Sequence, residues 1–215
     1  MLTLYTTPLS ANGRKPLALC LHLGLRLEVR DVNVYRGEGQ APAFLAVSPL
    51  GKVPALVDGD LTLTESNAIL QYLAEAYGEG RVGGQDAKGR AEVARWMFWE
   101  ASHWQPSMIA VPGLAAAVAA KLGIPGVVAS AEGVRWEEHA EWTRMARHLD
   151  GHLAGREWLV GKGEGPTIAD FAVAGMMTYS RSAGFPFARY AGIARWYERV
   201  EALEAWKASA AEVWR

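Results

Sequence analysis

Ser48-Pro49-Leu50-Gly51-Lys52-Val53-Pro54-Ala55-Leu56, followed after the turn Asp58-Gly59-Asp60 by Leu63-Thr64-Glu65-Ser66-Asn67-Ala68-Ile69-Leu70, decides the fold of this chain and what it can hold. The first segment puts a cation and a proline into a bend just before an apolar run that reads as a strand. The second ends a strand and opens a helix at Glu65-Ser66, so backbone N–H groups and a hydroxyl face whatever lies beyond the strand end. The pair suits a small anionic peptide lying extended beside the proline, its carboxylates at Lys52 and at the helix terminus.

Working outward, Ala55-Leu56-Val57 and Leu61-Thr62-Leu63 flank the Asp58-Gly59-Asp60 turn and form an antiparallel hairpin. Upstream, Leu2-Thr3-Leu4-Tyr5 reads as a buried strand, and a helix follows from Arg14 to Leu23 with Pro16 in its first turn, where a missing N–H does least harm. Leu27 to Val34 alternates as a second strand, and a short helix from Pro42 to Val47 stops before Pro49. Downstream, a helix from Ser66 to Tyr77 closes against Gly78. The order β-α-β-α-β-β-α describes an α/β layered unit with a mixed sheet over residues 1–80.

From Gly78 to Lys88 the chain is rich in glycine and charge, as a linker is. Beyond it only helices are expected, over Arg90–His103, Leu114–Leu122 and Glu132–Leu153, then from Thr167 onward and between Ala188 and Val213. Thr167-Ile168-Ala169-Asp170 has the spacing of a capping box with Asp in place of Glu.

The chain of 215 residues is 50% apolar with a formal net charge of −1. It has the length to bury a core, and lacks the basic stripe that nucleic acid or an anionic membrane would require. No apolar run approaches the roughly 20 residues of a membrane span, and no basic n-region precedes the first strand. A cytoplasmic protein is the expectation. The one cysteine, Cys20, falls on the apolar face of the first helix with Leu17 and Leu21 and reads as core.

Ser10-Ala11-Asn12-Gly13 lies between the first strand and the first helix, where backbone N–H groups and the positive end of the helix dipole favour an anion. For a bound thiol they would favour the thiolate. An ordinary thiol with a pKa near 8.5 is only a few per cent ionised at pH 7, and lowering it by about two units makes the reactive form the majority. Ser10 would donate its hydroxyl to sulfur and Asn12 its side-chain N–H. Either residue equally suits a plain helix cap, and Ser66-Asn67 likewise suits simple capping at its own helix start.

In their order and spacing these segments resemble the glutathione S-transferase family. Ser10-Ala11-Asn12-Gly13-Arg14-Lys15 is similar to the Ser/Thr-x-Asn-x-x-Lys pattern of its serine-using and asparagine-containing bacterial members, and Thr167–Asp170 resembles its folding motif. The resemblance implies a thioredoxin-like glutathione-binding domain over residues 1–80 and an all-helical domain over 87–215 that holds the co-substrate site. It implies catalysis by Ser10 and Asn12, a cis bond before Pro54, pairing of Val53 with the cysteinyl backbone of glutathione, and Lys52 and Gln40 at the glycyl end. Glu65 and Ser66 would then hold the γ-glutamyl end. Trp104 and Met108 would line the hydrophobic pocket, although a Trp-rich helix equally suits core or a dimer contact. Tyr5 reads as a core aromatic, and His103 as a general acid or a helix-face histidine with a neighbour.

The implied activity is a glutathione transferase acting on a small hydrophobic electrophile, as a homodimer, with glutathione as co-substrate and no tightly bound cofactor or metal. The alternatives are a glutathione-dependent disulfide or peroxide reductase on the same fold, and a non-catalytic ligand-binding relative. The Ser-Ser-Cys motif of the maleylacetoacetate isomerase branch is absent, which counts against isomerisation.

Overall fold

Apolar residues turn Leu2 and Leu4 inward along β1 (Leu2–Thr6), which pairs in parallel with β2 (Leu27–Asp31) in the register Leu2↔Leu27. The computed structural model describes residues 1–121, 132–161 and 165–210. Between those strands runs α1 (Ala11–His22), whose face of Leu17, Ala18, Leu19 and Cys20 is sealed in the core. It begins three residues earlier than its apolar pattern suggests, because Ser10 caps it through Gly13 N–H. Burial pushes the Cys20 thiol up to about 12, so it stays protonated and inert.

After the short α2 (Pro42–Leu45), β3 (Ala55–Asp58) runs antiparallel to β1 and to β4 (Leu61–Thr64), giving the sheet order β2-β1-β3-β4. Helix α3 (Ser66–Tyr77) packs on α1 and buries Ile69, Leu70, Leu73 and Ala74. It is pinned to the hairpin by Asp58, which accepts from Tyr72 Oη at 2.6 Å and from Tyr77 Oη. This is the mixed α/β layer the sequence indicates. Its second strand stops at Asp31 rather than Val34, since the backbone turns into 3₁₀ geometry there.

The secondary structure among the rest of the described residues is helical. It comprises α4 (Ala87–Trp99), α5 (Gln105–Ile109), α6 (Leu114–Lys121), α7 (Ala140–His152), α8 (Ile168–Met176), α9 (Ala191–Ala202) and α10 (Glu204–Ala208). Helix α4 does not run unbroken to His103. It passes into a π-helical segment, Glu100–Trp104, that rotates the following side chains relative to α4. The expected helix from Glu132 instead starts at Ala140, behind a 3₁₀ turn at Trp136–Glu138. Leu122 and Val213, expected helix ends, lie outside the described residues.

Helix α8 forms the axis of the core. Every residue from Ile168 to Gly175 is buried, and α8 packs against α1, α3, α4 and α9. Its start is fixed by Asp170, which accepts from Thr167 N at 2.8 Å, Leu159 N at 2.9 Å and Trp196 Nε1 at 2.8 Å. The capping box read from sequence is present, and two further donors satisfy the buried carboxylate. Among the described residues no helix is long and apolar enough to cross a membrane.

Candidate active site

Strand register gathers the sequence segments at one edge of the sheet. Tyr5 pairs with Ala55 and Ala55 pairs with Thr64. The chain leaving β1, the chain entering β3 and the chain leaving β4 therefore emerge side by side. These are the Ser10 loop, Lys52-Val53-Pro54 and Glu65-Ser66. Parallel pairing of β1 with β2 delivers the 34–40 segment to the same end.

Ser10 is buried at the N-terminus of α1, its Oγ accepting Gly13 N–H at 2.9 Å. That bond uses a lone pair and leaves the hydroxyl hydrogen available to an incoming sulfur. Asn12 is half-buried in the same first turn. Its Oδ1 lies 3.5 Å from Ser66 Oγ, which turns the amide N–H₂ toward the other side. Tyr5 is engaged elsewhere, accepting from Arg30 Nη1 at 2.9 Å and packing on Phe44.

The Val53–Pro54 bond is cis. The bend before it is held by buried Ser48, whose hydroxyl donates to Lys52 O at 2.8 Å and accepts from Lys52 N. Lys52 itself is exposed. Gly51 has φ +63°, and a Cβ there would come within 2.6 Å of both Gln40 Nε2 and Gly39 O, so only glycine lets the Gln40 amide close over the bend. Glu65 has φ +66°, a region rarely adopted by side-chain-bearing residues, immediately before the first turn of α3.

A cleft of about 270 Å³ adjoins these groups. Leu9 and Ala11, on either side of Ser10, form one wall. Met108, Ile109, Val118 and Met176 contribute to the helical wall, with Tyr35 and Tyr179 also lining it. Tyr179 Oη donates to Leu9 O at 2.5 Å and ties the helical wall to the Ser10 loop. Met108 is thus part of the cleft lining. Trp104 does not line the cleft: it is wholly buried and stacks on Trp99, because the π segment turns it into the core. His103 is exposed on the same segment.

Below the Ser66 hydroxyl lies Lys15, with no solvent contact. Its Nζ is 3.0 Å from Glu100 Oε1 and 3.4 Å from Ser66 Oγ, and Glu100 is equally inaccessible. Glu100 Oε2 accepts from Asn67 Nδ2 at 2.8 Å. Burial pulls the Lys15 ammonium below the ordinary lysine range, and Glu100 opposes that pull.

Residues 4–81 match the family described as glutathione S-transferase, N-terminal domain, and residues 132–199 match glutathione S-transferase, C-terminal domain. Glutathione S-transferase 3 of Zea mays is 31% identical over 99% of this chain and 94% of its own length. The chain belongs to the glutathione S-transferase family. Its fold matches the crystal structure of glutathione transferase F2 from Populus trichocarpa with a TM-score of 0.82 at 25% identity, covering 97% of each chain. A glutathione S-transferase from Pseudomonas fluorescens matches with a TM-score of 0.75 at 31% identity, over 95% of this chain and 96% of that one.

Within this glutathione S-transferase, Ser10, Asn12, Gln40, Lys52, Val53, Pro54, Glu65 and Ser66 all fall at the strand-end edge, and Met108 falls in the adjoining cleft. Sequence reasoning gave no role to Tyr179 or to the Lys15–Glu100 pair. A signal for Lys15 was present in the sequence: it stands three and four positions before Ala18 and Leu19 on the buried face of α1, where a lysine requires a partner.

Proposed function

We propose that this chain conjugates the thiol of glutathione to a small hydrophobic electrophile, using residues 1–80 for glutathione and the helical residues 87–215 for much of the co-substrate site. The observation that carries this reading is the position of Ser10. It stands at the N-terminus of α1, between the edge where Lys52–Pro54 and Glu65–Ser66 meet and an apolar cleft that Leu9 and Ala11 line on either side of it. A thiolate there is next to whatever fills the cleft, so the rate gain comes from ionisation and from proximity.

In this reading the cysteinyl backbone pairs with Val53 beside Pro54, Lys52 and Gln40 meet the glycyl carboxylate, and Ser66 with the first N–H groups of α3 meets the γ-glutamyl carboxylate. Glu65 accepts from the γ-glutamyl ammonium. Ser10 Oγ–H and the Asn12 amide donate to sulfur, and the dipole of α1 adds to their effect. Neither residue removes the proton as a base; they make its loss to solvent favourable. Met108 is the pocket residue retained from the sequence reading.

We further propose a homodimer, supported by the exposed apolar side chains of Leu50, in the bend before Lys52, and Phe98, on the outer face of α4. A light-scattering mass of one chain would refute it. A cytoplasmic location fits a chain whose one cysteine stays a buried thiol.

The test is calorimetric titration of glutathione in buffers of different ionisation enthalpy, with turnover of an aryl halide measured beside a mixed disulfide. Binding that releases a proton near neutral pH, together with aryl halide turnover, is the expected result. Binding without release, or turnover of the disulfide alone, overturns the transferase reading.

A further inference from the structure

We propose that Lys15 is a positioning residue of the glutathione site, its ammonium fixing Ser66 as a hydrogen-bond donor toward the γ-glutamyl carboxylate while Glu100, from the helical part of the chain, holds that ammonium in place. The inference rests on the glutathione reading of the site. It adds a residue that touches no ligand and a dependence of the peptide site on a side chain from the other half of the molecule.

An ammonium only donates. With Lys15 Nζ 3.4 Å from Ser66 Oγ, the hydroxyl oxygen receives from below and its own hydrogen is directed elsewhere, to Asn12 Oδ1 at 3.5 Å or to an anion at the start of α3. A Ser66 hydroxyl without this neighbour could equally turn its lone pairs outward and repel the carboxylate. The donor is also the stronger for being polarised by a charged group that is itself sealed from water.

The lysine could not lie there unaided. Its stem passes across Gly175 of α8, where a Cβ would come within 2.4 Å of Cγ and 2.7 Å of Cε, so glycine makes the channel the side chain occupies. At the channel's end Glu100 is presented by the π-helical segment and oriented by Asn67 Nδ2. An unpaired lysine at such a depth would shed its proton, whereas the adjacent carboxylate holds the charge. Elements from the helical half and the two helices of the peptide site thus converge on one side chain.

The experiment compares glutathione with its decarboxylated analogue, 4-aminobutanoyl-cysteinylglycine, which lacks only the γ-glutamyl carboxylate. Calorimetric affinities are measured for the wild-type protein, for Lys15→Met, and for Lys15→Met/Glu100→Gln. The double variant leaves no buried charge unpaired and so remains a folded test if the single variant does not. The expected result is an affinity loss of about tenfold or more for glutathione, the size of one hydrogen bond to a charged group, with the analogue's affinity unchanged. A merely structural role would lower both affinities together or neither, and either pattern overturns the proposal. Failure of the wild-type protein to bind glutathione overturns the functional reading itself, and this inference with it. Binding by the wild type without discrimination in the variants overturns the role of Lys15 alone.

Discussion

Ser10 Oγ accepts the backbone N–H of Gly13 at 2.9 Å, so one hydroxyl both closes the first turn of α1 and stands beside the apolar cleft. Ser10→Ala is expected to remove both roles. Thermal unfolding should show a loss of about 1 kcal/mol for the cap. Aryl halide turnover should fall roughly 100-fold, the typical effect of losing one donor to a developing anion. Ser10→Thr keeps the hydroxyl and should retain most of both. A loss of stability with turnover intact would make Ser10 a cap only and leave thiolate stabilisation to Asn12.

Glu65 holds φ +66° at the entrance to α3. Glu65→Gly should relieve a conformation whose cost is of order 1–3 kcal/mol, giving a net gain on the order of 1 kcal/mol after the added freedom of the unfolded chain. The same change should weaken glutathione binding by removing the acceptor for the ligand's ammonium. Chemical denaturation and calorimetry on one preparation check both. A variant that binds as well as the wild type would show that Glu65 does not accept the ligand's ammonium.

Ala119 lines the cleft from α6. Ala119→Trp should fill much of its volume, raising KM for the electrophile about tenfold or more while the KM for glutathione stays within about twofold, since a filled apolar pocket loses transfer energy and not the peptide contacts. Steady-state kinetics with each substrate varied in turn separates the two constants, and a parallel rise in both would count against this cleft as the electrophile's site.

His22, His148 and His152 are all held below the usual imidazole value, chiefly by burial. Arg81 adds to this at His22 and Arg95 at His148, whereas the Leu159 carbonyl partly offsets it at His152. Between those lowered values and about 6.5 the unfolded chain binds more protons than the folded one. Stability should therefore rise with pH through this window and fall on acidification below about pH 6.5. Melting temperatures measured across this range check the sign, and replacing His22 with Gln should flatten the slope.

Much of the strand-end edge that gathers the candidate residues was legible because it depends on local rules. The Asp58-Gly59-Asp60 turn sets the hairpin, and the hairpin brings Lys52–Pro54 and Glu65–Ser66 together whatever the rest of the chain does. The direction of Trp104 and the partner of Lys15 were not legible for a common reason. The direction in which Trp104 points depends on a π-helical insertion that periodicity assumes absent, and the meaning of Lys15 depends on a carboxylate 85 positions away. Start points of helices also escaped the apolar pattern, since α1 begins at its cap and not at its first apolar repeat.

Arg14 stacks on the ring of Trp206 at 4.1 Å and donates from Nε to Ser209 Oγ at 3.1 Å and from Nη2 to Trp206 O at 2.9 Å. Those partners lie up to 195 residues further along the chain. During synthesis the helix that carries Ser10 and Asn12 therefore emerges long before the segment that braces its first turn. The strand-end edge can form early from local hairpin and strand contacts, but the nascent chain gains the braced first turn of α1 only after residue 209 has cleared the ribosome.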